Sequence, residues 1–596
     1  MASPCEIYQA ARARCVHAGA LAQQRSDRLA RGRLVGFAAI AAAVWAAWAG
    51  HLAAVWSSVP IMAFLGLVVL HERAHRQMDR AARGVAHHDD GLARIAGTWA
   101  GRGNARTDLV AADHPYARDL DLFGAGSIFE MLCTARTAAG ERTLAAWLLA
   151  PSDPATLMRR RAAVIELTPN VALREDLAGV GAAVRAEVDP EALSRWGEAP
   201  ARLDPSARRR IAALSWALPP CVIATWSLWV LEVLPLWPAI VATAATAGVH
   251  RLAHGFTALT AAAIERPARE LAVVAELIAR LEAEAVSAPS LVALQAALVR
   301  GDHAASARIG ALRRRFEWMQ LQRSQLFAIV AWLLCWPEHF ALAIERWRLR
   351  HGAEIRRWFA ALGELEALGA LAARAFEQPD DVWPEFIDDG PCVIGTALGH
   401  PLLSREVGVT NDVDLGGTTR ALMISGSNMA GKSTYMRTVG VNVALALAGA
   451  PVRAGSLRLS RVQIGASIRI EDSLRDGASR FYAEISRLRQ IVELGESPTP
   501  VLFLLDEVLH GTNSHDRRVG ARAVLQRLLD AGAIGMMTTH DLALATDVEP
   551  DAPRVRNVHF CDTLDGERLV FDYRVREGIV QTSNALALMR AVGLHV

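Results

Sequence analysis

The stretch ALMISGSNMAGKSTYMRTVGVNVALALAG, residues 421–449, constrains this chain more than any other. An apolar run, a loop bounded by glycines and a second apolar run of helical character follow one another, and Gly426 through Ser433 read G-x-x-x-x-G-K-S. A loop of this kind turns successive backbone N–H groups inward at the start of a helix, which makes a cradle for phosphate oxygens. Its residues are Gly426, Ser427, Asn428, Met429, Ala430, Gly431, Lys432, Ser433 and Thr434. In such a cradle Lys432 reaches the β- and γ-phosphates, and the Ser433 hydroxyl ligates a magnesium ion. Lys432 is the only lysine of the chain; every other basic side chain is arginine. On a solvated surface the two are nearly interchangeable, but at a phosphate a compact ammonium fits where a guanidinium fork does not.

Two downstream runs complete the pattern. VLFLLDEVLHG, residues 501–511, is five apolar residues followed by Asp506 and Glu507, which predicts a buried strand delivering two carboxylates beside the loop. Asp506 is placed to hold magnesium and Glu507 to polarise an attacking water. GAIGMMTTHDLALA, residues 532–545, is another strand ending in a threonine pair and His540, a candidate contact for the γ-phosphate.

The 596 residues predict roughly three to four domains. A net charge of +2 carries no strong signature for nucleic acid. The seven cysteines are scattered and none forms a C-x-x-C pair, so neither a disulfide framework nor a zinc site is expected. Residues 1–33 are polar and arginine-rich, too long and too charged for the n-region of a secretory signal, and read as a cytoplasmic N-terminal segment. Residues 34–50 and 51–70 then form a pair of runs free of Asp, Glu, Lys and Arg, and a second pair covers 211–231 and 232–249. Each approaches the ~20 apolar residues of a spanning helix. Arginines flank both pairs on the outside, and the inner turns carry only His51 and Glu232. The positive-inside rule then gives two transmembrane hairpins, 34–70 and 208–251, with both termini cytoplasmic. Pro219-Pro220 weakens the third run. LFAIVAWLLCWPEHFALAIERW, residues 326–347, carries Glu338 and His339 in its middle and is expected as a buried helix. Residues 71–207 and 252–380 otherwise read as helical, most clearly at 270–286 and 353–376, and from 381 strand-like and helical runs alternate to 596.

With these residues in place, the stretch from Pro384 to Leu594 resembles the ATPase domain of the MutS family, a branch of the ABC-type ATPases. The loop GSNMAGKSTYMR is similar to that family's, and the resemblance puts Asn428 near the γ-phosphate. DGASRFYAEISRLRQI, residues 476–491, resembles the segment before the family's second carboxylate motif, which implies that Ser479 reaches the nucleotide of an opposite subunit. DEVLHGTNSHDR, residues 506–517, matches that motif, with Asp516 in an acidic position of the pattern. GHPLL, residues 399–403, and VGVTND, residues 407–412, resemble the region contacting adenine, with Val409 or Thr410 in place of a frequent aromatic. YRVREGIVQTSNALALMRAVGL, residues 573–594, resembles the start of a dimerisation element. Upstream, residues 119–151 and 159–167 look like the opening of the family's helical core, or lever, domain, and 353–386 like its return.

The resemblance implies a fold of α plus α/β type. A helical core with two transmembrane hairpins would precede a C-terminal ABC-type P-loop α/β ATPase domain. It implies ATP and Mg2+ as ligands and a homodimer through the ATPase domain, while the apolar hairpins and their flanking arginines imply anchoring at a bacterial inner membrane with the ATPase in the cytoplasm. The chain departs from the family in having no counterpart of the mismatch-binding domain, its F-x-E reading element or the connector domain. Mismatch recognition is therefore not carried over with those residues, while DNA binding in a mismatch-repair-like role stays open, with Arg308, Arg313–Arg315 and Arg323 as candidate phosphate partners. The alternative is an ABC-type transporter ATPase with a fused membrane domain, against which stands the lack of an L-S-G-G-Q signature.

Overall fold

The computed structural model describes residues 2–51, 53–181, 189–300, 303–323, 327–427, 429–469, 480–509, 512–547, 553–565 and 568–580. They fall into two compact units. One comprises 1–134, 142–171 and 367–596; the other comprises 135–141 and 172–366.

The first unit opens with two long helices, Pro4–Trp48 and Ser58–Ile95, joined by the short 3-10 turn Ala54–Ser57. The segment 1–33 is thus the first part of a continuous helix. Ser3 caps it reciprocally with Glu6: Ser3 Oγ accepts from the Glu6 N–H at 3.2 Å, and the Ser3 N–H donates to Glu6 Oε2 at 2.8 Å. The two helices run antiparallel in close contact, which requires Gly91, where a Cβ would lie 2.5 Å from the Tyr8 ring. Their apolar halves have no protein cover. Leu34, Phe37, Trp48, Trp56 and Met62 are all more than half exposed.

Two sheets form the C-terminal part of this unit. In chain order the strands are β1 (Glu385–Phe386), β2 (Val393–Leu398), β3 (Asn411–Leu415), β4 (Ala421–Ser425) and β5 (Ser456–Leu459). They continue with β6 (Gln463–Ser467), β7 (Val501–Leu505), β8 (Ile534–Thr539), β9 (Val555–Asp565) and β10 (Arg568–Glu577). The smaller sheet has the order β1-β5-β2-β3 and the larger β10-β9-β4-β8-β7-β6. In the larger sheet every neighbouring pair is parallel except the edge pair β9 and β10. β4, β7 and β8 are buried at every position, as expected of central strands covered on both faces, and this explains their unbroken apolar runs. The helix Lys432–Ala448 leaves β4 through the glycine loop and packs so closely that a Cβ at Gly440 would lie 2.6 Å from both Leu120 and Leu504.

The second unit is helical apart from one short hairpin, Val299–Arg300 with His303–Ala304. Its longest elements are Pro205–Val230 and Trp237–Glu282, and Ile211, Ala253, Phe256, Ala341 and Leu342 form one of its cores. Arg348, 1% exposed, pairs with Glu345 and donates to the carbonyls of Trp196, Ala199 and Pro200, so a buried cation is fully hydrogen-bonded. The helix expected at 353–376 runs Ile355–Glu377 after a 3-10 turn.

Three sequence expectations need correction here. Pro219 and Pro220 do not interrupt Pro205–Val230. The Ser215 carbonyl, which Pro219 cannot satisfy, hydrogen-bonds His339 instead, and the His339 ring sits 4.7 Å from that of Trp216. The apolar stretch after residue 326 is two helices, Ala328–Leu333 and Trp336–His351, broken at Cys335 with φ +48°. Pro337 stands in the first turn of the second helix, where its missing N–H costs nothing. Finally, among the described residues three helices are long and apolar enough to cross a membrane: Pro4–Trp48, Val55–Ile95 and Pro205–Val230. The fourth expected span, 232–249, loses its first residues to the turn before Trp237, and Arg251 soon ends the apolar run.

Candidate functional site

β4, β7 and β8 are adjacent and parallel, so their C-terminal ends open on one edge of the sheet. That edge gathers Gly426 to Lys432 after β4, Asp506 and Glu507 after β7, and Thr538 to His540 at the end of β8. The turn after β4 needs glycine at both ends. Gly426 has φ +143° and Gly431 φ +102°, and a Cβ on either would lie 3.0 Å from a neighbour, the Phe560 carbonyl or the Tyr573 ring.

Lys432 begins the helix and is 2% exposed. Its ammonium donates to the carbonyls of Gly426 at 2.7 Å and Ser427 at 3.1 Å, and lies 3.3 Å from Glu507 Oε1. Glu507 Oε2 is 3.8 Å from His540 Nδ1. One carboxylate therefore stands between the ammonium and the imidazole. Asp506 is held by its own N–H, which donates to the Ser467 carbonyl at 2.9 Å, and by Thr538, whose hydroxyl donates to Asp506 Oδ1. The same hydroxyl accepts from the Glu507 N–H at 3.0 Å. Glu507 adopts φ +44° and Leu509 φ +62°, a left-handed turn that Glu484 fastens from below by accepting from the Leu509 N–H.

Of the remaining loop residues, Met429 is 74% exposed, Ala430 is buried, Ser433 is half-buried in the first turn of the helix and Thr434 is exposed. Asn428 and Ser479 lie outside the described residues. Val409 is half-buried in the loop before β3. GHPLL turns inward: Arg453 donates to the carbonyls of His400 and Leu403, and burial pushes the His400 imidazole down to about 4. Asp516 helps close the N-terminus of helix Ser514–Asp530, where Asn513 Oδ1 accepts from its N–H at 2.9 Å.

Sequence reasoning assigned no role to Thr538, Glu484 or Tyr573. The threonine pair before His540 was the only signal for the first. Tyr573 is delivered by β10, whose backbone Asn411 holds through Tyr573 O at 2.9 Å and the Val575 N–H at 2.9 Å.

The residues present fit a nucleoside triphosphate with magnesium. The buried ammonium is held by oxygen acceptors, which phosphate oxygens can replace, and Ser433 and Asp506 offer the hard oxygen donors that Mg2+ takes.

Comparison with known proteins agrees with this geometry. Residues 422–595 match the family profile of MutS domain V. The chain is 37% identical over 244 residues to a protein of Halobacterium salinarum named DNA mismatch repair protein MutS 2, a match covering 39% of this chain and 27% of that relative. Little more than a quarter of the relative's length is thus in common. The segment that carries the glycine loop, Asp506, Glu507 and His540 thus matches MutS domain V, and this similarity supports the MutS family.

Proposed function

We propose that this chain is a membrane-anchored MutS-family ATPase that binds ATP between two copies of its C-terminal domain and couples hydrolysis to movement of its helical parts. The observation that carries the reading is the convergence of Lys432, Glu507 and His540 on one sheet edge, with Glu507 within 3.3 Å and 3.8 Å of the other two. Lys432 and the loop N–H groups bind the phosphates. Ser433 and Asp506 would hold Mg2+, which would supply charge neutralisation at the phosphates. Glu507 orients and deprotonates the attacking water, and His540 positions the γ-phosphate end of the site. Thr538 keeps the two carboxylates in register, since a single hydroxyl contacts both residues. Ser479 of a second copy completes the cradle, as the family resemblance implies.

Membrane anchoring is supported by the exposed apolar faces of the first two helices and of Pro205–Val230. A helix face that buries nothing against protein and carries Leu34, Phe37, Trp48 and Met62 calls for lipid cover. The first two helices as one hairpin, and Pro205–Val230 with the apolar start of Trp237–Glu282 as a second, would place both termini and the ATPase on the cytoplasmic side.

The test is ATP hydrolysis by the detergent-solubilised protein, with and without duplex DNA over a salt series, beside Lys432→Ala. Turnover lost in the variant supports the nucleotide site; equal turnover in both refutes it. Stimulation by DNA that fades as salt rises supports a DNA-engaging role through phosphate contacts. Indifference to DNA removes that role and leaves the ATPase. Alkaline extraction of cell membranes tests the anchor, and release of the protein into the supernatant refutes it.

A further inference from the structure

Away from the nucleotide site, in the helical unit, three side chains of different chemistry meet. His250 lies on helix Trp237–Glu282, Cys335 at the break before Trp336–His351, and Glu338 in the first turn of that helix. One ligating atom from each lies within 4.8 Å of the other two. We propose that His250, Cys335 and Glu338 form a binding site for a divalent transition metal of the zinc class.

Three observations support this. Glu338 is 1% exposed, and its Oε2 has no hydrogen-bond partner, an arrangement that costs about 1–3 kcal/mol where nothing answers it. His250 Nε2 lies 2.8 Å from the Trp332 carbonyl, so that nitrogen carries a proton. His250 Nδ1 shares a proton with Glu338 Oε1, 2.9 Å away, and an ion that displaces that proton to solvent would find both atoms as ligands, with the ring oriented by the hydrogen bond at its other nitrogen. The Trp332 ring stacks on the His250 ring with centroids 5.0 Å apart, which fixes the plane of the imidazole. Finally, Cys335 is fully buried, and its left-handed backbone, φ +48°, places it beside the other two.

The donor set selects the metal. A thiolate with an imidazole and a carboxylate suits zinc and disfavours Mg2+ and Ca2+, which want oxygen alone. Ligands sharing one tetrahedral ion at about 2.0–2.3 Å stand roughly 3.3–3.7 Å apart, so the cluster closes on an ion with shifts of about an ångström. On binding, the Cys335 S–H bond breaks, a sulfur–metal bond forms and the proton passes to solvent. Three protein ligands leave a fourth position for water. The sequence concealed the site because its ligands are spread over two helices, with only a C-x-x-E pair in local register.

The test uses full-length protein in detergent, stripped by a chelator and titrated with Co2+. One equivalent should give the visible bands of a four-coordinate ion and a thiolate charge-transfer band in the near ultraviolet, both displaced by Zn2+. Cys335→Ser should abolish the charge-transfer band, Cys392→Ser should retain it, and His250→Gln should weaken affinity at least tenfold. Unfolding curves matching the parent protein establish that the variants are folded, and Glu338→Gln provides an independent loss of affinity should one of them fail. A wild-type protein that shows no stoichiometric thiolate band, or a band that survives in Cys335→Ser, overturns the proposal and leaves His250 and Glu338 as an ion pair.

Discussion

Replacing Glu507 by Gln keeps the shape of the side chain and removes its charge, and the structure fixes what should follow. Glu507 Oε1 is 3.3 Å from the Lys432 ammonium, an attraction of about 5 kcal/mol at an effective dielectric near 20. Phosphate oxygens must take over that ammonium when ATP binds, so the carboxylate competes with the substrate for Lys432 and repels it as well. Much of the attraction is offset by desolvation on either side of the exchange, but the direction is unambiguous. Glu507→Gln should bind ATP as tightly as the parent protein or more tightly. The hydrolytic step should move the other way. A positioned base contributes about 10²- to 10⁴-fold, so turnover should fall at least tenfold, a barrier increase of about 1.4 kcal/mol or more. Binding is read with a fluorescent ATP analogue by anisotropy, and hydrolysis by phosphate release under single-turnover conditions. Turnover within twofold of the parent would remove Glu507 as the base. A loss of ATP affinity would show that Glu507 supports binding and would refute the competition for Lys432.

Two further outcomes are expected. Gly431→Ala forces an L side chain into φ +102° with its Cβ 3.0 Å from the Tyr573 ring, so stability should fall by about 1–2 kcal/mol in thermal unfolding and ATP binding should fall further. Full ATP affinity in that variant would contradict the cradle. Glu366 is buried, and desolvation pushes its carboxyl from 4.5 up to about 7, against the hydrogen bonds from Thr137 and the Arg136 N–H. Because the folded state holds this proton more tightly, the contribution is fully present below 4.5 and is lost as pH rises through about 7, by roughly 3 kcal/mol at most. Melting curves across that range should show the slope in the parent and a flatter profile in Glu366→Gln; identical profiles would refute the assignment.

The parts of the site that were legible in the sequence are those that chain continuity fixes. Gly426 to Ser433 must follow a strand and open a helix, and five apolar residues before Asp506 can only be a buried strand. Thr538, Glu484 and Tyr573 were not legible, because their roles arise from strand order and from left-handed turns at Glu507 and Leu509 that no local pattern announces. The fastening of GHPLL was not legible either, since it depends on a residue distant in sequence. Its residues face Arg453, a partner some fifty positions on, whose guanidinium needs their carbonyls. Around Cys335, one buried helix was expected over 326–347, whereas Pro337 marks the start of a second helix. Among the apolar runs, hydropathy located the helices but not the turn ahead of Trp237, which shortens the fourth.

The first helix has a mechanical consequence. Its 45 residues run from Pro4 to Trp48 with no proline beyond the first position and no break where polar sequence gives way to apolar. At 1.5 Å per residue it is a rod about 68 Å long. Near its start, the Tyr8 hydroxyl donates to Glu377 at 3.1 Å, a carboxylate that Arg94 also grips at 2.6 Å, a few residues ahead of the first strand. A tilt of about 5° at that clamp, roughly 60 Å from Trp48, would sweep the distal tip through about 5 Å. A small rotation beside the sheets is thereby converted into a displacement comparable to the rise of one helical turn at Trp48, with no hinge between to absorb it.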